Sequence, residues 1–144
     1  MSSPLHMHGT CVAVDGRGAL FCGPSGSGKS DIALRLIERG AQLVADDQVI
    51  LAPLDDGKVE ARSEPRLEGR LEVRGIGILK VPFAANAPLF AIFELVMPDQ
   101  VPRLPETEWA EPLPGHKIRR FSLAPFEASA PDKVRLTLGA LAQL

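Results

Sequence analysis

The stretch Gly23-Pro24-Ser25-Gly26-Ser27-Gly28-Lys29-Ser30 fits G-x-x-x-x-G-K-[ST] at every fixed position, the pattern of a phosphate-binding loop. The residue types follow from the chemistry. Gly23, Gly26 and Gly28 let successive backbone N–H groups turn inward around phosphate oxygens, where side chains would block the approach. Lys29 supplies a point charge to the β- and γ-phosphates, and Ser30 offers a hydroxyl oxygen to Mg²⁺. A chance match in a chain of ordinary composition is roughly a 1% event.

The flanks agree with the loop. Ala19-Leu20-Phe21-Cys22 enters it like a buried strand, and Ile32, Leu34, Leu36 and Ile37 follow it at helical spacing, with Gly40 placed to end the helix. Such a helix aims its N-terminal dipole at the phosphates. Upstream, residues 10–14 form a second strand, joined to the first by Asp15-Gly16-Arg17-Gly18, an Asp-Gly turn that favours a β-hairpin. The strand before the loop therefore pairs antiparallel with its predecessor, and His8-Gly9 falls near the sheet edge. The expectation is an α/β P-loop nucleotide-binding domain with a mixed sheet, taking ATP and Mg²⁺.

The rest of the chain yields further elements. Residues 42–47 read as a strand ending in Asp46-Asp47, followed by Val49-Ile50-Leu51, a turn at Asp55-Asp56-Gly57 and a strand from Val59 to Arg62. Arg74-Gly75-Ile76-Gly77-Ile78-Leu79 has two glycines two apart, which predicts a sharp local conformation closely approached by other backbone. Leu89 to Val96 is a buried strand. Five prolines between residues 98 and 115 predict a mobile surface loop. Ile118 to Leu123 is a last strand. Ser129-Ala130-Pro131-Asp132 predicts a capped helix start, with Val134, Leu136, Leu138 and Leu141 as its apolar face.

Composition bounds the function. With 144 residues and 45% hydrophobic content the chain reads as one domain, 1–144. A net charge of −2 gives no general affinity for nucleic acid or anionic membrane. No apolar run approaches the ~18 residues of a membrane span, and the N-terminus lacks the pattern of a signal peptide, so a cytoplasmic location is expected. Cys11 and Cys22 lie in apolar runs and read as reduced core residues.

Asp46 and Asp47 are the natural partners of the loop, since a carboxylate there either holds Mg²⁺ through water or accepts a proton from an attacking hydroxyl. Neighbouring strand residues point to opposite faces, so one of the two is expected to look into the site.

Taken together, His8-Gly9, Gly23 to Ser30, Leu43-Val44-Ala45-Asp46-Asp47 and Leu71-Glu72-Val73-Arg74-Gly75-Ile76-Gly77-Ile78 resemble the catalytic domain of HPr kinase/phosphorylase, in that family's order and covering somewhat more than half of the chain. The last stretch is the most specific, because E-[IV]-R-G-x-G-I lies outside general P-loop chemistry. The resemblance implies that Lys29 contacts the phosphates and that Ser30 and Glu72 ligate Mg²⁺. It makes Asp46 and Asp47 the base that activates a serine on the phosphocarrier protein HPr or a paralogue, and the acid of the reverse reaction, with His8 beside them. Arg103 corresponds, at shorter spacing, to an active-site arginine. A P-loop fold related to phosphoenolpyruvate carboxykinase, a hexamer and a part in phosphotransferase-system regulation are implied as well. The chain starts almost at the His8 motif, like minimal members without the N-terminal regulatory domain. The family's basic segment linked to phosphorolysis is not found downstream of Arg120, and Arg119 and Arg120 read as surface charge. Kinase activity is thus expected more than phosphorolysis.

Two rivals remain at this level. A small-metabolite kinase predicts a lid with clustered arginines, where this chain offers only Arg103. The other is a nucleotide-dependent switch or binding module with little turnover, whose GTPase version requires N-K-x-D, which is absent. Neither accounts for Glu72-Val73-Arg74-Gly75.

Overall fold

The computed structural model describes residues 4–144. In chain order the elements are β1 (Leu5–His8), β2 (Thr10–Val14), β3 (Arg17–Cys22), α1 (Lys29–Ile37), β4 (Gln42–Ala45), β5 (Gln48–Pro53), β6 (Val59–Arg62), β7 (Arg70–Val73), β8 (Gly77–Lys80), β9 (Asn86–Leu95), β10 (Glu108–Leu113), β11 (His116–Leu123) and α2 (Ala130–Leu141). The expected hairpin forms: β2 and β3 pair antiparallel from Thr10↔Phe21 to Val14↔Arg17. Asp15 and Gly16 both take positive φ, 51° and 79°, the conformation whose twist matches a two-residue hairpin turn. At the end of α1, bonds from the Gly40 amide to the Ile37 carbonyl and from the Ala41 amide to the Leu36 carbonyl close the helix in a Schellman-type stop.

Strand β9 organises the sheet. Nine strands run in the order β1-β5-β6-β9-β3-β2-β4, with β11 also on β9 and β10 on β11, while β7 and β8 form a separate hairpin. Its first residues, Asn86–Pro88, pair antiparallel with β6, and its later ones pair parallel with both β3 and β11. Between these halves the register with β3 passes from Gly18↔Leu89 to Ala19↔Ala91, skipping Phe90. This bulge exchanges the faces of the strand. Ala87 and Leu89 join the core shared with β5 and β6, whereas Ala91 and Phe93 join the core under the helices. The approach is so close that a Cβ on Gly18 would lie 2.8 Å from the Pro88 carbonyl oxygen, so no other residue fits there unshifted.

The result is three layers with two cores. Under α1 and α2 pack Val12, Phe21, Leu43, Leu71 and Phe93, with Phe93 stacked between Phe21 (5.6 Å) and Phe121 (5.5 Å). On the other face, Cys11, Leu20, Val44 and Ile92 meet Val49, Leu51, Val59 and Ala61 of the outer strands. Among the described residues no helix is long and apolar enough to cross a membrane.

Several expectations need correction. Residues 98–115 are not one loop: after a 3₁₀ turn at Pro98–Gln100, residues 108–113 form β10 on β11. Pro112 is tolerated because β10 is an edge strand and its register breaks between Ala110 and Leu113. Arg119 and Arg120 are not plain surface charge. The Arg119 guanidinium lies over the rings of Trp109 and Phe121 (5.5 and 5.1 Å), and Arg120 bonds Glu108 at 2.9 Å, so both clasp β10 to its neighbours. Ser129 precedes α2 in helical conformation and makes no side-chain cap, while Asp132 pairs with Arg39 at 3.3 Å. Leu136 is 76% exposed, since α2 buries only the stripe through Val134 and Leu138. Gly75 and Gly77 do take positive φ, but a Cβ on either would meet open space. They shape the β7–β8 turn and receive no close backbone approach.

Two outcomes follow from this packing. Phe93→Ala removes the middle ring of the stack and is expected to cost about 3–5 kcal/mol in urea denaturation, whereas Leu136→Gln stays within about 0.5 kcal/mol. Burial pushes the Cys11 thiol up to about 12, with Cys22 adding to it. Cys22 rises to about 11 through burial and then the Glu94 charge, against smaller lowering by Lys29 and Arg120. Both values exceed the ordinary 9.0, so the folded chain holds these protons longer than the unfolded one. The stability this contributes is intact below pH 9 and fades as pH rises through 11–12. At pH 8 the thiols are expected to resist iodoacetamide until urea is added.

Candidate active site

Topology explains why the chemistry collects at one edge. Strands β3, β4, β9 and β11 all run the same way, and β2 runs against them. The carboxyl ends of the first four and the start of β2 therefore lie together. At that edge is an open cavity of about 1130 Å³.

The glycine loop between β3 and α1 forms its floor. Lys29 Nζ donates to the carbonyls of Gly23 (2.5 Å) and Pro24 (3.1 Å), and the Ser27 amide donates to the Pro24 carbonyl at 3.1 Å. Gly28 starts the helix at φ 104° with no side chain capping it, which leaves first-turn N–H groups facing the loop. Glycine is required at this position twice over, because a Cβ would also lie 2.9 Å from the Phe126 ring. The Ser27 hydroxyl oxygen is buried without a partner.

Asp46 is the fixed point of the cavity. Its Oδ1 accepts from the Thr10 hydroxyl (3.1 Å) and the Ser30 hydroxyl (3.0 Å), and its Oδ2 accepts from the Glu72 amide (3.0 Å). One carboxylate thus ties β2, α1 and β7 together. Asp47 differs. The Gln48 amide donates back to the Asp46 carbonyl at 2.8 Å, and Asp47 between them has φ 69°. This is a γ-turn of the rare positive-φ kind. Strand alternation therefore fails here, and both carboxylates line the cavity. Asp47 is exposed, with His8 Nδ1 at 3.9 Å from its Oδ1.

Of the residues singled out in the sequence, His8, Asp46, Asp47, Glu72, Lys29, Ser30 and most of the loop line this one cavity. His8 ends β1, an edge strand that pairs with β5 and that the sequence reading lacked. Glu72 and Arg74 arrive on the β7–β8 hairpin, which supplies a wall down to Ile78. Arg103 does not line the cavity; it sits on the exposed segment before β10. Two residues escaped the sequence reading. Thr10 is a fully buried hydroxyl satisfied by Asp46, and its polarity at the head of an apolar strand was the available sign. Phe126, between β11 and α2, lines the cavity and carried no motif. Ser30, Asp46 and Glu72 all carry oxygen donors, the ligand class of Mg²⁺, but among the described residues no three His, Cys, Asp or Glu side chains gather closely enough to hold a metal.

The different roles of the two aspartates are separable. Asp46→Asn places an NH₂ among three donors, so exchange of the Glu72 amide is expected to quicken about tenfold or more in hydrogen–deuterium measurements. Asp47→Asn leaves that amide unchanged, because Asn also tolerates the left-handed turn.

Comparison with known proteins falls on the same residues. The family described as HPr Serine kinase C-terminal domain matches residues 1–85, more than half of the chain. HPr kinase/phosphorylase of Bordetella petrii is 47% identical over 75 residues, covering 52% of this chain and 24% of that protein. That of Clostridium novyi is 50% identical over 76 residues, covering 53% and 24%. The matched stretch thus spans about a quarter of the length of these relatives. Among solved structures, the Hpr(Ser) kinase/phosphatase from Coxiella burnetii superposes with a TM-score of 0.77 at 23% identity, over 96% of this chain and 94% of that one, which is a likeness of fold. The matched residues 1–85 carry the glycine loop, Asp46, Asp47 and Glu72, and by them the chain belongs to the HPr serine kinase C-terminal domain family.

Proposed function

We propose that this chain is a Mg²⁺- and ATP-dependent protein-serine kinase acting on HPr or a paralogue, built on a P-loop fold related to phosphoenolpyruvate carboxykinase. The observation that carries the reading is the meeting of the glycine loop with two carboxylates of unlike environment in one cavity. The triphosphate would lie along the loop, on the first-turn N–H groups of α1 and the Lys29 ammonium. Ser30 gives its hydrogen to Asp46, so its oxygen keeps lone pairs for a metal, and Glu72 completes that side. Magnesium bound there would offset charge on the transferring phosphoryl.

Serine's hydroxyl is a weak nucleophile at neutral pH, so a carboxylate must take its proton as the new P–O bond forms. Asp46, held through both oxygens by three donors, is suited to positioning. Asp47, exposed and beside His8, is suited to act as the base. A hexameric assembly is carried over from the family resemblance, which also favours the kinase direction over reverse phosphorolysis.

The test is transfer of labelled phosphate from Mg·ATP to purified HPr. Asp47→Asn is expected to lower serine labelling by roughly 10²–10⁴-fold with ATP binding retained, and Lys29→Ala to lose ATP binding. Binding of ATP by the wild type with no labelling of HPr would overturn the protein-kinase reading.

A further inference from the structure

The cavity has two flanks with different chemistry. Helix α1 packs on β2 and β4, with β7 on one side of it and α2, lying over β3 and β9, on the other. The β7 side holds Glu72, with Asp46 and Asp47 at the end of β4. The other side is reached by Pro125 and Phe126, just before α2. If the reacting end of a triphosphate faces Asp47, its nucleoside must leave the loop towards this second flank.

Phe126 waits there. It is 69% exposed yet lines the cavity beside Asp31 and Leu34, so little of its ring is spent on packing. Its place is nevertheless fixed through the backbone. Arg35 donates to the carbonyls of Pro125 and, at 3.4 Å, Glu127, Lys133 pairs with the Glu127 carboxylate at 3.4 Å, and the Ala130 amide donates to the Glu127 carbonyl at 3.1 Å. The Phe126 ring reaches Gly28 so closely that a Cβ there would lie 2.9 Å from it. An aromatic ring on an anchored stretch of backbone, open to solvent and close to the phosphate loop has the attributes of a stacking surface for a planar heterocycle.

The geometry points to Phe126 as the platform on which the nucleobase of the bound nucleotide stacks. This rests on the nucleotide-binding reading given above and adds a residue that binds the base and takes no part in phosphoryl transfer.

Inorganic tripolyphosphate separates the two ideas, because it carries the phosphates without the base. Titration calorimetry of the full chain with Mg·ATP and with Mg·tripolyphosphate would be run on the wild type, Phe126→Ala and Phe126→Trp. The expected result is about tenfold weaker ATP binding by Phe126→Ala, unchanged tripolyphosphate binding, and ATP affinity kept by Phe126→Trp. Wild-type ATP affinity in Phe126→Ala would overturn the platform while leaving the nucleotide reading intact. Equal weakening of both ligands would also overturn it, by showing that Phe126 acts through the loop at Gly28. A wild type that binds neither ligand would remove the nucleotide reading and the platform with it.

Discussion

A single carboxylate holds the working edge of this molecule together. Asp46 accepts hydrogen bonds from β2, from the first turn of α1 and from the backbone of β7. Three elements distant in sequence thus share one acceptor, and Thr10, otherwise an unsatisfied hydroxyl in a dry strand, finds its partner there. Charge-assisted bonds of this kind are stronger than neutral ones. Their arrangement also sets the position of Ser30 relative to Glu72. Among the described residues the β7–β8 hairpin has no strand partner in the main sheet, so it is held by this contact, by Leu71 in the core beneath and by backbone bonds between Leu43 of β4 and Pro82 and Ala84 just after β8.

Away from that edge the fold has a separate logic. The bend in β9 gives each half of the strand its own hydrophobic layer, and the cavity opens at the rim of the sheet, touching the helix-side layer only at Leu34 and Val73. Core packing and the polar side chains of the cavity therefore draw on largely different residues. Asp47, His8, Phe126 and the tip of the glycine loop at Pro24-Ser25-Gly26 are solvent-facing, while the aromatic stack lies beneath the helices. Changes at exposed His8 or Asp47 are expected to have little effect on global stability, unlike changes at Asp46, which ties three elements together, or at Gly28, whose conformation and neighbours exclude a side chain.

Much of this was legible in the residue order. The loop, the hairpin before it, a strand leading to Asp46-Asp47 and the turn at 55–57 are local signals, each set by residues close in sequence, and each formed, though β4 stops at Ala45 and both aspartates fall in the bend after it. The failures are those of non-local physics. Pro112 breaks a strand only if its missing N–H is needed, and an edge strand with a broken register does not need it. Arg119 and Arg120 read as surface charge because Trp109, Phe121 and Glu108 reach them only through strand pairing. Alternation misjudged the aspartate pair because a hydrogen bond across two residues reversed the chain at Asp47. Phe126 had no sequence sign, since its importance lies in nearness to Gly28, almost a hundred residues earlier.

The γ-turn at Asp47 carries a consequence for which acids this position can accept. Positive φ is adopted readily by glycine and, among residues with side chains, chiefly by asparagine and aspartate, whose short polar groups bond locally. A longer acid such as glutamate would gain a methylene of reach and meet a backbone that resists it. If Asp47 is the base proposed above, its distance to an incoming hydroxyl would be governed by the main chain, and the geometry of proton removal would be inherited from a turn more than from the choice between two acids.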